Sequence, residues 1–259
     1  MQTITLTECV GGAWRDAWGL ARRHPLFIVS CFAGIFFIGI AQNELHGHYT
    51  LSDLLALGAL WLLRALLMSA VAVHTLRYVL LGDEAAARTF ADRAYWCYCG
   101  LTYGFVICAI AATGVVVFLV AMAFHLVGFH THQRAVSAVE VCVIVMTVIW
   151  VHVRLSLLPS HVAIGRPLRW RAAWRDTRGN GWGIAGTYLA VGLTFFGLVL
   201  IVGAVAAAFA IALGDGVHGP IMKLTQSVLL VPAIAVSSAA SAWIYRRYAA
   251  ELLPQSRGV

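Results

Sequence analysis

Histidine clusters where the apolar runs of this chain give way to short polar loops. HGH places His46 and His48 two residues apart, FHTH does the same with His130 and His132, and His125 and His218 border or lie in loops of the same set. With Glu44 and Asp215 nearby, these imidazoles would suit copper or zinc. The competing reading is that histidine is a tolerated polar residue in loops where arginine is selected against, since spacing alone does not make ligands converge. His74 and His152 form a second pair, each six or seven residues from the same-side end of its apolar run. Two histidines at one depth are how a four-helix membrane bundle holds haem b. Alternatively, each is a single polar residue bonded to a neighbouring helix.

Two arginines interrupt apolar runs. Arg64 sits inside LLALGALWLLRALLMSAVAV, about 15 Å from its start at 1.5 Å per residue. At that depth it must face protein or water and find a partner, and Glu140 suits by sign and approximate depth. An Arg64–Glu140 pair reads either as a structural ion pair or as part of a transport pathway. Arg154 lies one turn from the end of its run and reads as a snorkelling anchor.

Catalytic patterns are missing. The chain has no G-x-S-x-G elbow, Walker loop, H-E-x-x-H or close carboxylate pair. Ser160 and His161 are neighbours in sequence, which does not make a triad. With eleven carboxylates, mostly in loops, an acid–base enzyme is not expected. The first reading is therefore non-enzymatic, with no cofactor.

The elements carrying these residues are set by composition. Of 259 residues, 61% are hydrophobic and 11% charged, with a mean hydropathy of +0.84. A soluble domain carries about a quarter charged residues, so lipid is the solvent for most of this surface. A bilayer core of about 30 Å needs about 20 apolar residues per helix. Six runs qualify or nearly do, at 26–42, 54–81, 97–124, 135–158, 182–213 and 221–245. The expected fold is all-α and polytopic, one integral membrane domain over 1–259. Residues 1–25 form an interfacial helix, 26–245 six transmembrane helices and 246–259 a tail. MQTITLTECV lacks the basic start and apolar core of a signal peptide. Cys31, Cys108 and Cys142 lie in apolar runs, and Cys97–Cys99 is a lone C-x-C, so no disulfide or zinc framework is indicated.

Basic residues orient the runs. Thirteen arginines lie before the first run, between the second and third, between the fourth and fifth, or after the last. The alternate loops hold only Arg134 and Lys223. This is a positive-inside pattern with both termini cytoplasmic. It also accounts for the net charge of +7 without nucleic acid.

The step AWRD occurs twice, at 13–16 and 173–176, each time ahead of an apolar run. At helical spacing Trp14, Ala17, Trp18 and Ala21 share one face, with Arg15 and Arg22 on another. In the second copy Trp170, Ala173, Trp174 and Thr177 oppose Arg171, Arg175 and Arg178. Pro167 suits the first turn, and Gly179-Asn180-Gly181 a stop. A helix with an aromatic and a basic face lies in the headgroup layer, where tryptophan and arginine meet lipid phosphates. GIFFIG at 34–39 is matched by GLTFFG at 192–197, and DEAAARTFADRAYW offers a weaker third anchor. The chain thus reads as three parallel units, each an anchor followed by a hairpin. Gly100 and Gly104 form a small-xxx-small pattern suited to helix packing, and Pro232 predicts a kink in the sixth run beside polar Gln226, Ser237, Ser238 and Ser241.

VRLSLLPSHVAIG, RAAWRDTRGNGW and YRRY together resemble a group of largely uncharacterised bacterial inner-membrane proteins, related to the membrane domain beside some glycerophosphodiester phosphodiesterases. Arg154, Leu155, Pro159, Trp174, Thr177, Arg178, Gly179 and Trp182 match its Arg-Leu…Leu-Pro step and W-x-x-T-(R/K)-G-x-W segment, with one extra residue at Gly181. HTLRYVLLGDE resembles the R-x-x-L-x-G-E ending of its second helix, with Asp83 in place of glutamate. The resemblance implies six helices in the bacterial inner membrane and no enzyme, because the phosphodiesterase barrel is a separate domain. The expected role is a scaffold or accessory subunit binding membrane lipids or another membrane protein through Trp14, Arg15, Trp18, Trp170, Arg171, Trp174, Arg175 and Arg178. A small transporter using Arg64 and Glu140 is the alternative, and a metal or haem protein the third.

Overall fold

A computed structural model describes residues 5–45, 50–86, 92–127, 146–213, 215–250 and 252. The described chain is helical. α1 spans Leu6–Arg23, α2 Pro25–Glu44, α3 Leu51–Leu81, a single turn α4 Asp83–Ala86, and α5 Arg93–Val127. Residues 146–155 form α6. Then follow α7 Leu157–Ala163, α8 Trp170–Asp176, α9 Gly181–Leu213 and α10 Asp215–Tyr248. α2, α3, α5, α9 and α10 are each long and apolar enough to cross a membrane. The expected run at 135–158 lies mostly outside the described residues, and its described part is helical.

Local chemistry sets the boundaries. Thr5 and Glu8 make a capping box that starts α1: the Thr5 hydroxyl accepts from the Glu8 amide at 3.3 Å, and the Glu8 carboxylate accepts from the Thr5 amide at 2.6 Å. These bonds hold the Glu8 carboxyl below its ordinary pKa. His24 leaves the helical region (φ −121°) because Pro25 follows it, and Pro25 then opens α2. The 135–158 run was expected to continue to Leu158, but α6 gives way to α7 at Ser156. Pro159 has no N–H for the Leu155 carbonyl, so the helical ladder loses a bond where α6 gives way to α7. α8 stops at Asp176, three residues short of Gly179, whose φ of +87° makes the turn that a non-glycine residue would resist. α10 passes through Pro232 as one helix and runs to Tyr248, so the tail begins later than 246.

α10 is the most buried of the five spans and packs against α1, α2, α3 and α9. Its contact face carries Ala235, Ser238, Ala239, Ala240 and Ala242, all buried. Lipid tails are as apolar as leucine, so helices associate here by close backbone approach, which small residues permit. Two cores result. One gathers Ala13, Ala17, Cys31, Ile35, Leu76 and Ala239, and the other Leu157, Leu158, Ala173, Ile184, Ile244 and Leu252. Both use the C-terminal part of α10.

Candidate functional site

Several polar side chains with long-range partners gather at one end of the bundle. Arg77, only 3% exposed near the end of α3, donates from Nε to the Ala163 carbonyl at 2.8 Å and pairs with Asp92 at 2.8 Å. It thus joins α3 to the end of α7 and the start of α5. His161 Nδ1 and the Tyr245 hydroxyl share a hydrogen bond of 2.8 Å between α7 and α10. Burial, then the neighbouring Arg166 guanidinium, pushes the His161 imidazole down to about 4. Asp83, just after α3, accepts from Arg23 at 3.3 Å and meets His24 Nε2 at 2.6 Å. Hydrogen bonding to His24 lowers the Asp83 carboxyl. Arg246 donates to the Val79 carbonyl. Sequence reasoning singled out none of these contacts. Arg77 sat in the quoted motif, but its partners are 15 and 86 residues away.

The AWRD segments occupy the same end. In both, the alanine is fully buried (Ala13, Ala173) and the arginine exposed (Arg15, Arg175). In both, the aspartate ties its helix to the C-terminal region of the chain, on α10 or just past it. Asp16 accepts from the Trp243 indole at 3.0 Å, and Asp176 from the Leu252 amide at 3.0 Å. The tryptophans differ. Trp14 donates to the Thr194 hydroxyl at 3.2 Å and stacks on Phe195, so it joins α1 to α9. The expected aromatic face of α1 is therefore split. Cys9, Gly12, Ala13, Ala17 and Leu20 form its bundle-facing side, Trp14 reaches α9, and Trp18 alone is left 61% exposed under the Arg22 guanidinium. Geometry explains the change: Gly12 and Ala13 let α1 sit against Trp243, and a Cβ on Gly12 would fall inside that indole.

On the second segment Trp170, Trp174 and the following Trp182 are exposed, the last at 90%. Arg171 and Arg178 are exposed beside them. Trp170 meets Phe105 edge to face at 5.4 Å, and Trp174 meets Trp150 likewise at 5.2 Å. Arg154, read as a snorkelling anchor, has its guanidinium carbon 5.5 Å from the Trp150 ring centre and 5.4 Å from that of Trp174, and one terminal nitrogen, Nη1, is buried without an acceptor. The Thr177 hydroxyl donates to the Arg154 carbonyl at 3.2 Å, bringing α6 and the end of α8 together.

The other singled-out residues are dispersed. Arg64 donates to Gln42 Oε1 at 3.2 Å and lies over Trp61, so its described partner is a neutral amide at the end of α2. Glu140 lies outside the described residues, as do His46, His48, His130 and His132. His74 packs on His24 and Phe27 and is buried, whereas His152 packs on Tyr188 of α9. Their ring neighbours differ. Among the described residues, no three His, Cys, Asp or Glu side chains converge as metal ligands would. A Cβ on Gly100 or Gly104 would meet nothing within 4 Å, so their expected close packing is not formed among the described helices.

These five apolar helices, around a core of small residues, define a multi-pass α-helical membrane protein. No family model matches the chain, and neither does any curated protein or solved structure.

Proposed function

We propose that the protein is a non-enzymatic six-helix protein of the bacterial inner membrane, a scaffold or accessory subunit that binds lipid or another membrane protein through its cytoplasmic face. One observation carries this reading: exposed tryptophans (Trp18, Trp170, Trp174, Trp182) interleave with exposed arginines (Arg15, Arg171, Arg175, Arg178) at the end of the bundle where α1 and α8 dock. Indole prefers the boundary between headgroups and acyl chains, and arginine beside it reaches phosphate or a partner's carboxylates. The sixth span at 135–158, the cytoplasmic termini and the three-unit plan belong to the same reading. The resemblance to the phosphodiesterase-associated membrane group agrees with it.

The test is native mass spectrometry of protein extracted gently from its own membrane, together with the triple variant Arg171→Gln, Arg175→Gln, Arg178→Gln. Retained lipid or a co-purifying protein, reduced in the variant, is the expected result. Substrate flux in liposomes that depends on Arg64, with no bound lipid or protein, would replace this reading with a transporter.

A further inference from the structure

Arg154 differs from the other inward arginines. Arg77 has a carbonyl and a carboxylate, Arg64 an amide oxygen, and Arg246 a carbonyl. The Arg154 guanidinium is held in the corner of two indoles, with Nη1 buried and unaccepted. A partly desolvated cation with no carboxylate beside it costs free energy unless an anion at its accessible edge balances the charge, and ring faces offer charge stabilisation but no lone pair for each N–H. The described chain around it offers no anion. From 146 to 182 there are six arginines and one carboxylate, Asp176, which is buried and bound to the Leu252 amide. Around the corner lie an exposed arginine, Arg178, one residue beyond the Thr177 that binds the Arg154 carbonyl, and Trp182, next to the Gly181 that packs on Val153.

We propose that the Arg154–Trp150–Trp174 corner is a binding site for the phosphate of one anionic phospholipid. It rests on the lipid-binding reading above and narrows it to one headgroup and one residue. The edge of the guanidinium fork formed by Nε and Nη2, which is not closed off as Nη1 is, meets a phosphate in bidentate fashion, which lysine cannot reproduce. The indoles hold that fork in place and line the path of the glycerol and upper acyl chains. Arg178 adds a second positive charge from the rim. Trp174 therefore has two tasks, fixing Arg154 and facing lipid, whereas Trp14 in the matching position of the first segment has neither.

Native mass spectrometry in detergent, with phosphatidylglycerol, phosphatidylcholine or inorganic phosphate titrated in, tests this. The wild-type protein is expected to retain one phosphatidylglycerol in preference to phosphatidylcholine. Arg154→Gln is expected to weaken that one adduct about tenfold or more, the loss of a charge-assisted bidentate contact. The triple glutamine variant at Arg171, Arg175 and Arg178 should instead thin out the further, weaker adducts. If Arg154→Gln leaves the first adduct unchanged while the triple variant loses lipid, the site is refuted and the lipid-binding face stands. If neither variant changes lipid retention, both fall. Inorganic phosphate competing as well as the lipid would overturn the lipid assignment. Should Arg154→Gln not fold, Arg154→Lys decides: it keeps the charge and loses the fork, so undiminished phosphatidylglycerol binding refutes the site.

Discussion

The same four residues, Ala-Trp-Arg-Asp, dock two different helices onto one end of α10, and they do not do so identically. Their alanines are buried and their arginines exposed alike, and the aspartates accept from Trp243 of α10 and from the Leu252 amide just past it. The preceding residue differs. Gly12 in α1 lies beneath Trp243, whereas its counterpart in α8 is the half-buried Ala172. The tryptophans diverge as well, Trp14 to Thr194 and Phe195, Trp174 to Trp150 and Arg154. A short motif thus specifies the docking side and the tether, while the neighbouring helices decide whether its aromatic ring becomes a packing group or part of a ligand site.

The sharpest way to break the comparison is at the glycine. Gly12→Leu should cost about 3 kcal/mol of stability, because the side chain must displace a buried indole, whereas Ala172→Leu should cost well under half that. Unfolding measured in lipid nanodiscs reads both, and equal costs would mean that the close approach of α1 to Trp243 is absent. Next come the tethers. Asp176→Ala should destabilise by about 2 kcal/mol, because it leaves the Leu252 amide unpaired in a buried setting, and Asp16→Ala by about 1 kcal/mol at its more exposed indole. The reverse order would reassign which segment holds the bundle end.

Acid should separate the two regions. The buried His161, pushed down to about 4, is neutral in the folded protein while the unfolded chain begins to take up a proton below about 6.5. Its contribution is complete above that pH and is lost as pH falls toward 4, with a slope of at most about 1.4 kcal/mol per pH unit. Asp83, whose carboxyl is lowered, keeps its contribution to the α1 end until pH drops below the ordinary carboxylate range. Hydrogen exchange at pH 5 should therefore loosen α7 and α8 before α1, and His161→Phe should flatten the slope. The smallest effect expected is at Trp14. Trp14→Phe loses one exposed-side hydrogen bond and should cost under about 1 kcal/mol, with no change in lipid retention, whereas Trp174→Phe should weaken the phosphatidylglycerol adduct.

Much of the fold was legible because long apolar runs have few alternatives. Without water in the bilayer core, backbone polar groups must be satisfied within each helix, so composition and run length sufficed to place α2, α3, α5, α9 and α10. Gly179 marked an end for a similarly local reason, as did the position of AWRD ahead of its runs. The site was less legible. Arg64 and Arg154 stood out as charges in apolar sequence, but their partners did not: Gln42 is an unremarkable amide 22 residues away, and Trp174 reaches Arg154 only because α8 folds back on α6.

By itself the sequence determined a chain of membrane-crossing helices and two short helices that repeat the Ala-Trp-Arg-Asp step, because hydropathy and helical spacing are local properties. Only the tertiary structure decided that Trp14 packs on α9, that Arg77 and His161 are buried between helices, and that Arg154 sits in an indole corner with a donor unpaired. Those outcomes depend on which faces of separate helices meet, and in lipid that is decided by small-residue contacts and hydrogen bonds distant in sequence, not by hydrophobicity.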